Sequence, residues 1–221
     1  MPKLFENESI ENGKLHICES FSVKPIISES EKVKELKKIT EAKDDSKKFI
    51  LKPKIAAIHE GRTRNNTIYL EEKLRGSMVT EGGPSGMYSF LYPYNKPMLK
   101  NHDRDSEPTG RVMNTQYIKG AEGSGYVMII PHITDPDTIE KILDGRYLTV
   151  SIGATTDSAI CNICGQDIIK DGWCEHERGE IYDGNKCGWI IGEVWFDECS
   201  WVNVPSDAKA KVIDPSNLEV Y

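Results

Sequence analysis

Short apolar runs alternate with clusters of turn-forming residues over most of the chain. Between residues 96 and 133, the segments "KPMLKNHD", "TGRVMNTQYI" and "GYVMIIPHI" follow one another with Gly, Pro, Asn or Asp at their borders. Runs of this length and spacing predict β-strands. Further strand-like runs are "FILKPKIAAIHEG" and "GWIIGEVWFDECSWVNVP". The pattern therefore predicts a mainly β or α+β protein, and an antiparallel barrel is one arrangement that suits many short strands.

One segment, "DPDTIEKILDG", has the period of a helix instead. Its apolar residues recur on one helical face, and Pro136 falls in the first turn. Asp135 or Asp137 can serve as the N-cap, and Gly145 follows the end. The sequence returns to a β-favouring run at residues 147–152.

Residues 28–48 are highly charged, with a thin stripe of apolar residues at every third position. This pattern predicts a surface helix or a solvated linker, and a segment bound by a partner or removed by proteolysis is the alternative. We divide the chain into an N-terminal strand with this helix or linker (1–48), a main domain (49–154), a cysteine-rich insert (155–192) and closing strands (193–221).

The net charge of −7 argues against a protein whose main ligand is the phosphate backbone of a nucleic acid. The sequence has no run of eighteen apolar residues, which predicts no membrane span. The N-terminus, "MPKLFENESIENGK", lacks the apolar stretch of a secretory signal. We therefore expect a reducing, cytosolic environment, in which clustered cysteines bind metal more often than they form disulfides.

The segment "CNICGQDIIKDGWCEH" offers Cys161, Cys164, Cys174 and His176 within sixteen residues. Three thiolates and an imidazole in four-fold coordination are typical of zinc. Cys187 is the reserve ligand if His176 is not used, and the alternative interpretation is a pair of buried or redox-active thiols. Because four protein ligands leave no position for water or substrate, the sequence predicts a structural zinc that folds a segment with little core of its own.

A hydroxyl stands inside an apolar strand in "DGRYLTVSIGA", where Ser151 lies between Val150 and Ile152 and just before Gly153. This serine is either a core residue bonded to a neighbouring strand or a nucleophile that requires a base. Gly153 would keep the approach to Ser151 clear.

Of the five histidines, His102 is the best candidate for that base. It follows an apolar run, lies next to Asp103 and precedes a Gly-Arg pair that we expect to form a turn. His16 alternates within a predicted strand, His59 lacks the second histidine of a zinc-binding HExxH helix, and His132 follows a proline at a strand end. The residue types alone leave the choice of base open.

Here the sequence resembles a known family. The segment "KPMLKNHDRDSEPTGRV", followed about fifty residues later by "DGRYLTVSIGA", resembles the two signature blocks of the prohead (capsid maturation) serine proteases of tailed bacteriophages. "AAIHEGRTRNNTIYLEEKL" resembles the early block of that family, and "ECSWVNVPSDAKAKV" resembles its closing block. The cysteine-rich insert is similar to that of the zinc-bearing branch. The resemblance covers roughly residues 50 to 213, whereas residues 1 to 48 match weakly.

The resemblance implies a fold akin to the herpesvirus capsid-assembly protease, which is a bent antiparallel β-barrel wrapped by helices, with a small zinc-binding insert. It also implies Ser151 as nucleophile, His102 as general base and Glu198 as the group that orients the imidazole. Asp197 is the neighbouring alternative to Glu198, and His132 would serve in a Ser-His-His arrangement like that of the herpesvirus relatives. Adjacent residues of a strand point to opposite faces, so only one of the two carboxylates enters the site.

The implied activity is a serine endopeptidase that processes scaffold and capsid proteins, and itself, inside an assembling prohead in the host cytoplasm. Backbone donors from a turn at Gly110 and Arg111 are candidates for the oxyanion site. We expect no membrane or direct nucleic-acid partner, and a homo-oligomer stays open. The alternatives are a non-enzymatic, zinc-stabilised structural or adaptor protein of the viral head and, against the acidic charge balance, a nucleic-acid-binding cysteine module.

Overall fold

The structure is a computed structural model, and it describes residues 9–11, 13–18, 48–121 and 124–220. The strands of these residues are β1 Ser9–Glu11, β2 Lys14–Cys18, β3 Phe49–Leu51, β4 Lys54–His59, β5 Gly61–Arg62, β6 Thr67–Tyr69, β7 Pro97–Lys100, β8 Gly110–Ile118, β9 Tyr126–Ile133, β10 Val150–Thr156, β11 Ala159–Cys161, β12 Ile181–Tyr182, β13 Asn185–Lys186, β14 Trp189–Ile191, β15 Val194–Trp201, β16 Lys211–Asp214 and β17 Leu218–Val220. The helices are α1 Glu71–Arg75, a 3₁₀ helix Gly86–Phe90 and α2 Pro136–Leu143. Apart from Lys48, the charged helix or linker predicted at 28–48 lies outside the described residues.

Most strands belong to one sheet, in the order β1-β2-β10-β15-β7-β8-β9-β3-β17, with β4 pairing both β9 and β16. The neighbours are antiparallel except β7 and β15, which run parallel. Among the described strands this ladder does not close into a barrel. An isolated β-bridge joins Thr149, just before β10, to Lys211 at the start of β16. The mainly β class expected from the sequence is thus confirmed at this coarser level.

Strand burial explains how the sheet positions its polar residues. In β9, buried and partly exposed residues alternate along all eight positions, as expected for a strand with one face on the core. All seven residues of β10 are buried. Val150, Ile152 and Ala154 belong to the apolar core, so the intervening Ser151 and Gly153 lie on a second face that is also covered.

The core includes several large aromatic side chains that are almost fully buried. Phe90 stacks on Phe196 with ring centroids 4.2 Å apart, and Trp201 stacks on Tyr147 at 5.6 Å. The Trp201 indole N–H donates to Thr109 Oγ1 over 3.1 Å, which satisfies its polar atom inside the core. Phe196 and Trp201 both lie on β15, so these contacts fix that strand against its neighbours.

The cysteine-rich insert is not separate from the rest of the protein. A second sheet has the order β11-β14-β6-β5, in which β14 from the insert pairs in parallel with β6 from the early part of the chain. Arg178 lies over the ring of the buried Trp189, 3.8 Å from its centroid. The insert therefore shares its small core with residues 61–69, which the sequence pattern did not reveal.

The predicted helix is confirmed as α2, and Asp135 is its N-cap. The Asp135 carboxylate accepts from the backbone N–H of Thr138 over 3.2 Å, and Gly145 takes a positive φ of 83° after the helix. Ile139, Ile142 and Leu143 are buried against the core. No helix within the described ranges combines the length and apolar character that crossing a membrane requires.

Replacing the N-cap tests which aspartate begins α2. We expect Asp135→Ala to lower the free energy of unfolding by about 1 kcal/mol and the Tm by about 2–4 °C, because the Thr138 N–H loses its acceptor. The matched control is Asp137→Ala, which removes only an exposed ion pair with Lys141. The Tm of both variants is measured by thermal melts. A larger decrease in Tm for Asp137→Ala than for Asp135→Ala would contradict the assignment of Asp135 as the N-cap.

Candidate active site and metal cluster

Ser151 lies near the start of β10 with 2 % of its surface exposed. The antiparallel ladder places it directly opposite Ser200 of β15, and Gly153 lies opposite Glu198. Residues two apart in a strand share a face, so Glu198 and Ser200 project on the same side. Pairing of β10 with β15 therefore brings Ser151 and Glu198 into one neighbourhood, although they are distant in sequence.

His102 reaches this neighbourhood through the parallel pairing of β7 with β15. That register sets Leu99 beside Ser200 and Lys100 beside Trp201, so the turn after β7 lies next to the end of β15. Asn101 and His102 then take left-handed backbone conformations, with φ of 52° and 58°. Such conformations cost about 1–3 kcal/mol each outside glycine and tend to persist at functional sites. The turn thus directs the imidazole back towards β10.

The three predicted residues form a continuous hydrogen-bonded chain. His102 Nε2 lies 3.0 Å from Ser151 Oγ, and His102 Nδ1 lies 2.7 Å from Glu198 Oε1. These distances are those of hydrogen bonds between a nucleophile, its base and an orienting carboxylate. The structure therefore brings together all three residues that the resemblance implied, in the geometry that serine hydrolases use on unrelated folds.

The Glu198 carboxylate is 2 % exposed, so its oxygens depend on protein donors. One oxygen faces the imidazole, and the other accepts from Ser200 Oγ over 2.5 Å. A Cβ on Gly153 would overlap Glu198 Oε1. Gly153 therefore makes room for the carboxylate, which differs from the expected role of keeping Ser151 accessible.

The alternatives for the third member lie elsewhere. Asp197 points away from the imidazole and lies 3.5 Å from the Arg104 guanidinium, as strand alternation predicts. Burial lowers the pKa of the Lys96 ammonium, and the negative charge of Asp197 partly offsets this decrease. His132 lies opposite Arg111 in the ladder of β8 and β9, and burial together with the charge of Lys52 lowers its pKa.

The structure also shows where His59 and the pair Gly110 and Arg111 lie. His59 pairs with the Asp207 carboxylate at 2.8 Å, which joins β4 to the loop before β16. The turn expected at Gly110 and Arg111 is wrong, because both residues lie in β8 and pair with β7 and β9. Strand pairing there replaces the free turn from which we expected oxyanion donors.

A cavity of about 700 Å³ opens beside the triad. Its wall includes Tyr94, Leu99, Arg104, Arg111, Asp197 and Glu198. The cavity meets the triad through Glu198, whereas Ser151 and His102 do not line it. Its size lies within the usual range for ligand-binding clefts.

The four predicted metal ligands also converge. One donor atom from each of Cys161, Cys164, Cys174 and His176 lies within 4.8 Å of all the others. The His176 Nδ1 atom is buried and has no hydrogen-bond partner among the described residues. Around a tetrahedral ion the ligand atoms are about 3.8 Å apart, so a small shift would let these four groups hold one metal ion. Cys187 is a fifth neighbour, with its Sγ 3.9 Å from that of Cys161.

Burial opposes ionisation of two thiols in this cluster. Burial raises the pKa of Cys187 to about 12 and the pKa of Cys174 to about 11. Burial also acts against the Cys161 thiolate, but hydrogen bonds from the Cys164 and Ile163 backbone outweigh it and lower the Cys161 pKa. A bound cation would stabilise the thiolates together, so this donor set fits a metal ion.

Comparison of the chain with models of known protein families, with curated proteins and with solved structures gave no match. The chemistry of the two sites must therefore be inferred from their own geometry and from the sequence resemblance. The sequence reasoning missed Ser200, although its position two residues after Glu198 places it on the same strand face.

Replacing Gly153 tests the close approach of β10 to Glu198. In Gly153→Ala the new Cβ would displace the carboxylate, so we expect a loss of about 1–3 kcal/mol in unfolding free energy. The low-field proton NMR signal of His102 Nδ1–H should also disappear, because its acceptor moves. Thr155→Ser, on the same strand, should retain this signal. An unchanged signal in Gly153→Ala would show that the Glu198 carboxylate does not depend on the space that the glycine leaves.

Proposed function

We propose that the protein is a serine endopeptidase in which Ser151 is the nucleophile, His102 the general base and Glu198 the orienting acid. The observation that carries this proposal is the hydrogen-bonded chain from Ser151 Oγ through the His102 ring to Glu198 Oε1, with distances of 3.0 and 2.7 Å. The members are 49 and 96 positions apart in sequence and come from two strands and a turn. Such triads are recognised by geometry and role, whatever the fold.

The proposed reaction has two halves. In the first, His102 Nε2 takes the proton of Ser151 while Oγ attacks the carbonyl carbon of the scissile peptide. The tetrahedral intermediate then collapses, the C–N bond breaks, and the imidazolium gives its proton to the leaving amine. In the second half, water loses a proton to the same Nε2 and attacks the acyl ester, and that proton returns to Ser151 Oγ as the acid leaves.

Glu198 acts through the imidazole. Its carboxylate accepts from Nδ1–H, which leaves the lone pair of Nε2 for the Ser151 proton. When His102 becomes an imidazolium, the adjacent negative charge stabilises it. Because Glu198 is only 2 % exposed, solvent screens this interaction weakly.

The resemblance to prohead proteases extends the proposal to the substrates, the place of action and the fold. The substrates would be capsid and scaffold proteins of an assembling viral head, and the enzyme would act inside the prohead in the host cytoplasm. The fold would be a bent barrel like that of the herpesvirus assembly protease. The isolated bridge between Thr149 and Lys211 supports this fold, since it links the start of β10 to the β16–β4–β9 side of the sheet.

Self-cleavage forms part of the same proposal, and β2 supports it. This strand runs antiparallel to β10 and ends with Cys18 opposite Gly153, two positions from Ser151. The chain in β2 thus runs from Leu15, opposite Thr156 at the end of β10, towards Ser151. The N-terminal part of the chain is therefore the first substrate that we propose.

The metal of the cysteine cluster is proposed to be zinc with a structural role. Soft thiolates with an imidazole favour zinc over magnesium or calcium, and four protein donors leave no open position for substrate. The cluster lies at the end of β11, whose sheet includes β5 and β6. Zinc would therefore stabilise the small sheet, and the chain's own triad would perform the hydrolysis.

The second candidate is a non-enzymatic, zinc-stabilised structural or adaptor protein of the viral head. Burial of Ser151 favours it, because a hydroxyl with 2 % exposure that does not line the cavity also suits a structural role. The two candidates differ in one chemical property, which is the nucleophilicity of Ser151.

Labelling with a fluorophosphonate tests that property. We expect one adduct per chain, mapped to Ser151 by mass spectrometry, because the imidazole activates that hydroxyl. Ser151→Ala should abolish the adduct, and His102→Ala should slow its formation by on the order of 10³-fold or more. Intact mass should show N-terminal trimming in the wild type and a full-length chain in Ser151→Ala.

Folding of each variant is checked by circular dichroism. A folded wild type that takes no label at Ser151, or takes it equally well without His102, would reject the enzyme and favour the adaptor. Labelling without trimming would reject self-cleavage alone.

Metal removal tests the structural site. We expect one zinc per chain, and chelation should lower the Tm by at least about 5 °C because the small sheet loses its cross-link. Labelling of Ser151 in apo protein that is still folded should change by only a few-fold. His176→Ala should lose zinc and Cys187→Ser should keep it, as measured by atomic emission. The reverse result would assign the fourth position to Cys187, and an unchanged Tm would contradict the structural role.

A further inference from the structure

Ser200 is fully buried on β15 and lies between two members of the triad. Its hydroxyl donates to Glu198 Oε2 over 2.5 Å and accepts from the backbone N–H of His102 over 3.0 Å. The first contact fixes a side chain, and the second fixes the main chain of the turn after β7. One hydroxyl therefore joins the orienting acid to the base.

The contact with Glu198 limits rotation of the carboxylate. Oε1 faces His102 Nδ1 and Oε2 faces Ser200, so both oxygens have a partner in fixed directions. Without the Ser200 hydroxyl, the plane of the carboxylate would be held from one side only. Its bond to the imidazole would then sample longer and less linear geometries, which weaken hydrogen bonds steeply.

The contact with His102 holds a strained backbone. The φ of 58° at His102 is unfavourable for a residue with a Cβ, so surrounding contacts must hold the turn in place. The neighbouring bond from Asn101 N–H to the Trp201 carbonyl, at 3.0 Å, also ties the turn to β15. The Ser200 bond acts at the backbone of the histidine itself.

From these contacts we infer that Ser200 is a positioning residue of the site, which aligns Glu198 and His102 with each other while it touches no substrate. The inference rests on the proposed hydrolase function. A misplacement of about 1 Å at a reacting group can reduce a rate by about 10²-fold. Loss of the Ser200 hydroxyl should therefore slow acylation of Ser151 by about 10- to 100-fold and leave reagent binding unchanged.

The experiment measures fluorophosphonate labelling of Ser151 over a range of reagent concentrations, which separates the maximal rate kinact from the half-saturation constant KI. The variants are Ser200→Ala, Ser200→Thr and Ser200→Cys. Ser200→Ala should lower kinact by about 10- to 100-fold at unchanged KI. Ser200→Thr, which keeps the hydroxyl, should restore most of kinact, and Ser200→Cys, with its weaker donor, should fall between them.

Ser89→Ala is the matched control. Ser89 is also buried. Its hydroxyl accepts from the backbone N–H of Phe196, which lies on β15 as Ser200 does, and donates to the Gly86 carbonyl. Its removal leaves one backbone N–H without an acceptor, as Ser200→Ala does, and leaves a backbone carbonyl instead of a carboxylate without its donor. Because Ser89 contacts no member of the triad, kinact should stay at the wild-type value.

The outcomes separate this inference from the proposed function. A wild-type kinact in Ser200→Ala, or an equal fall in Ser89→Ala at the same loss of Tm, would overturn the positioning role while leaving the hydrolase in place. A wild type that takes no label at Ser151 would overturn both. If Ser200→Ala does not fold, Ser200→Cys decides, since it leaves no cavity, and a wild-type kinact there would overturn the inference.

Discussion

A carboxylate buried inside a β-sheet needs donors for both oxygens and space for its atoms, and Glu198 has both. His102 and Ser200 supply the donors, and the missing Cβ of Gly153 supplies the space on the paired strand. β15, which carries Glu198 and Ser200, lies between β10, which carries Gly153, and β7, which leads to His102. An unpaired charge at this depth would cost several kcal/mol, so the register of three strands and the geometry of the site depend on one another.

The metal cluster has a comparable relation to the second sheet. The strands β11 and β14 of the cysteine-rich segment form a sheet with β5 and β6 from the early part of the chain. A metal ion held by Cys161, Cys164, Cys174 and His176 would cross-link the two ends of the stretch 161–176. The triad, in contrast, lies in the main sheet. Stability of the insert and chemistry of the proposed enzyme thus belong to different parts of the fold.

The cysteine cluster and the candidate serine could be predicted from local signals, whereas the roles of His102 and Glu198 came from the family resemblance. The Ser-x-Gly pattern in a strand, the cysteine spacing and the exclusive choice between Asp197 and Glu198 all follow from short-range geometry. Two expectations failed or changed for non-local reasons. The pair Gly110 and Arg111 lies in β8 because β7 and β9 pair with it on both sides. The role of Gly153 changed because the group that needs its space comes from another strand.

By itself, the sequence determined the strand-rich class, the position of α2 and the donor residues of the metal cluster, because periodicity, caps and ligand spacing act within a few residues. Only the tertiary structure decided that His102 faces Ser151, that Glu198 and not His132 completes the chain, and that Ser200 joins them. These choices depend on the order of β10, β15 and β7 in the sheet. Strand order is set by the packing of residues far apart in sequence, and no local pattern encodes it.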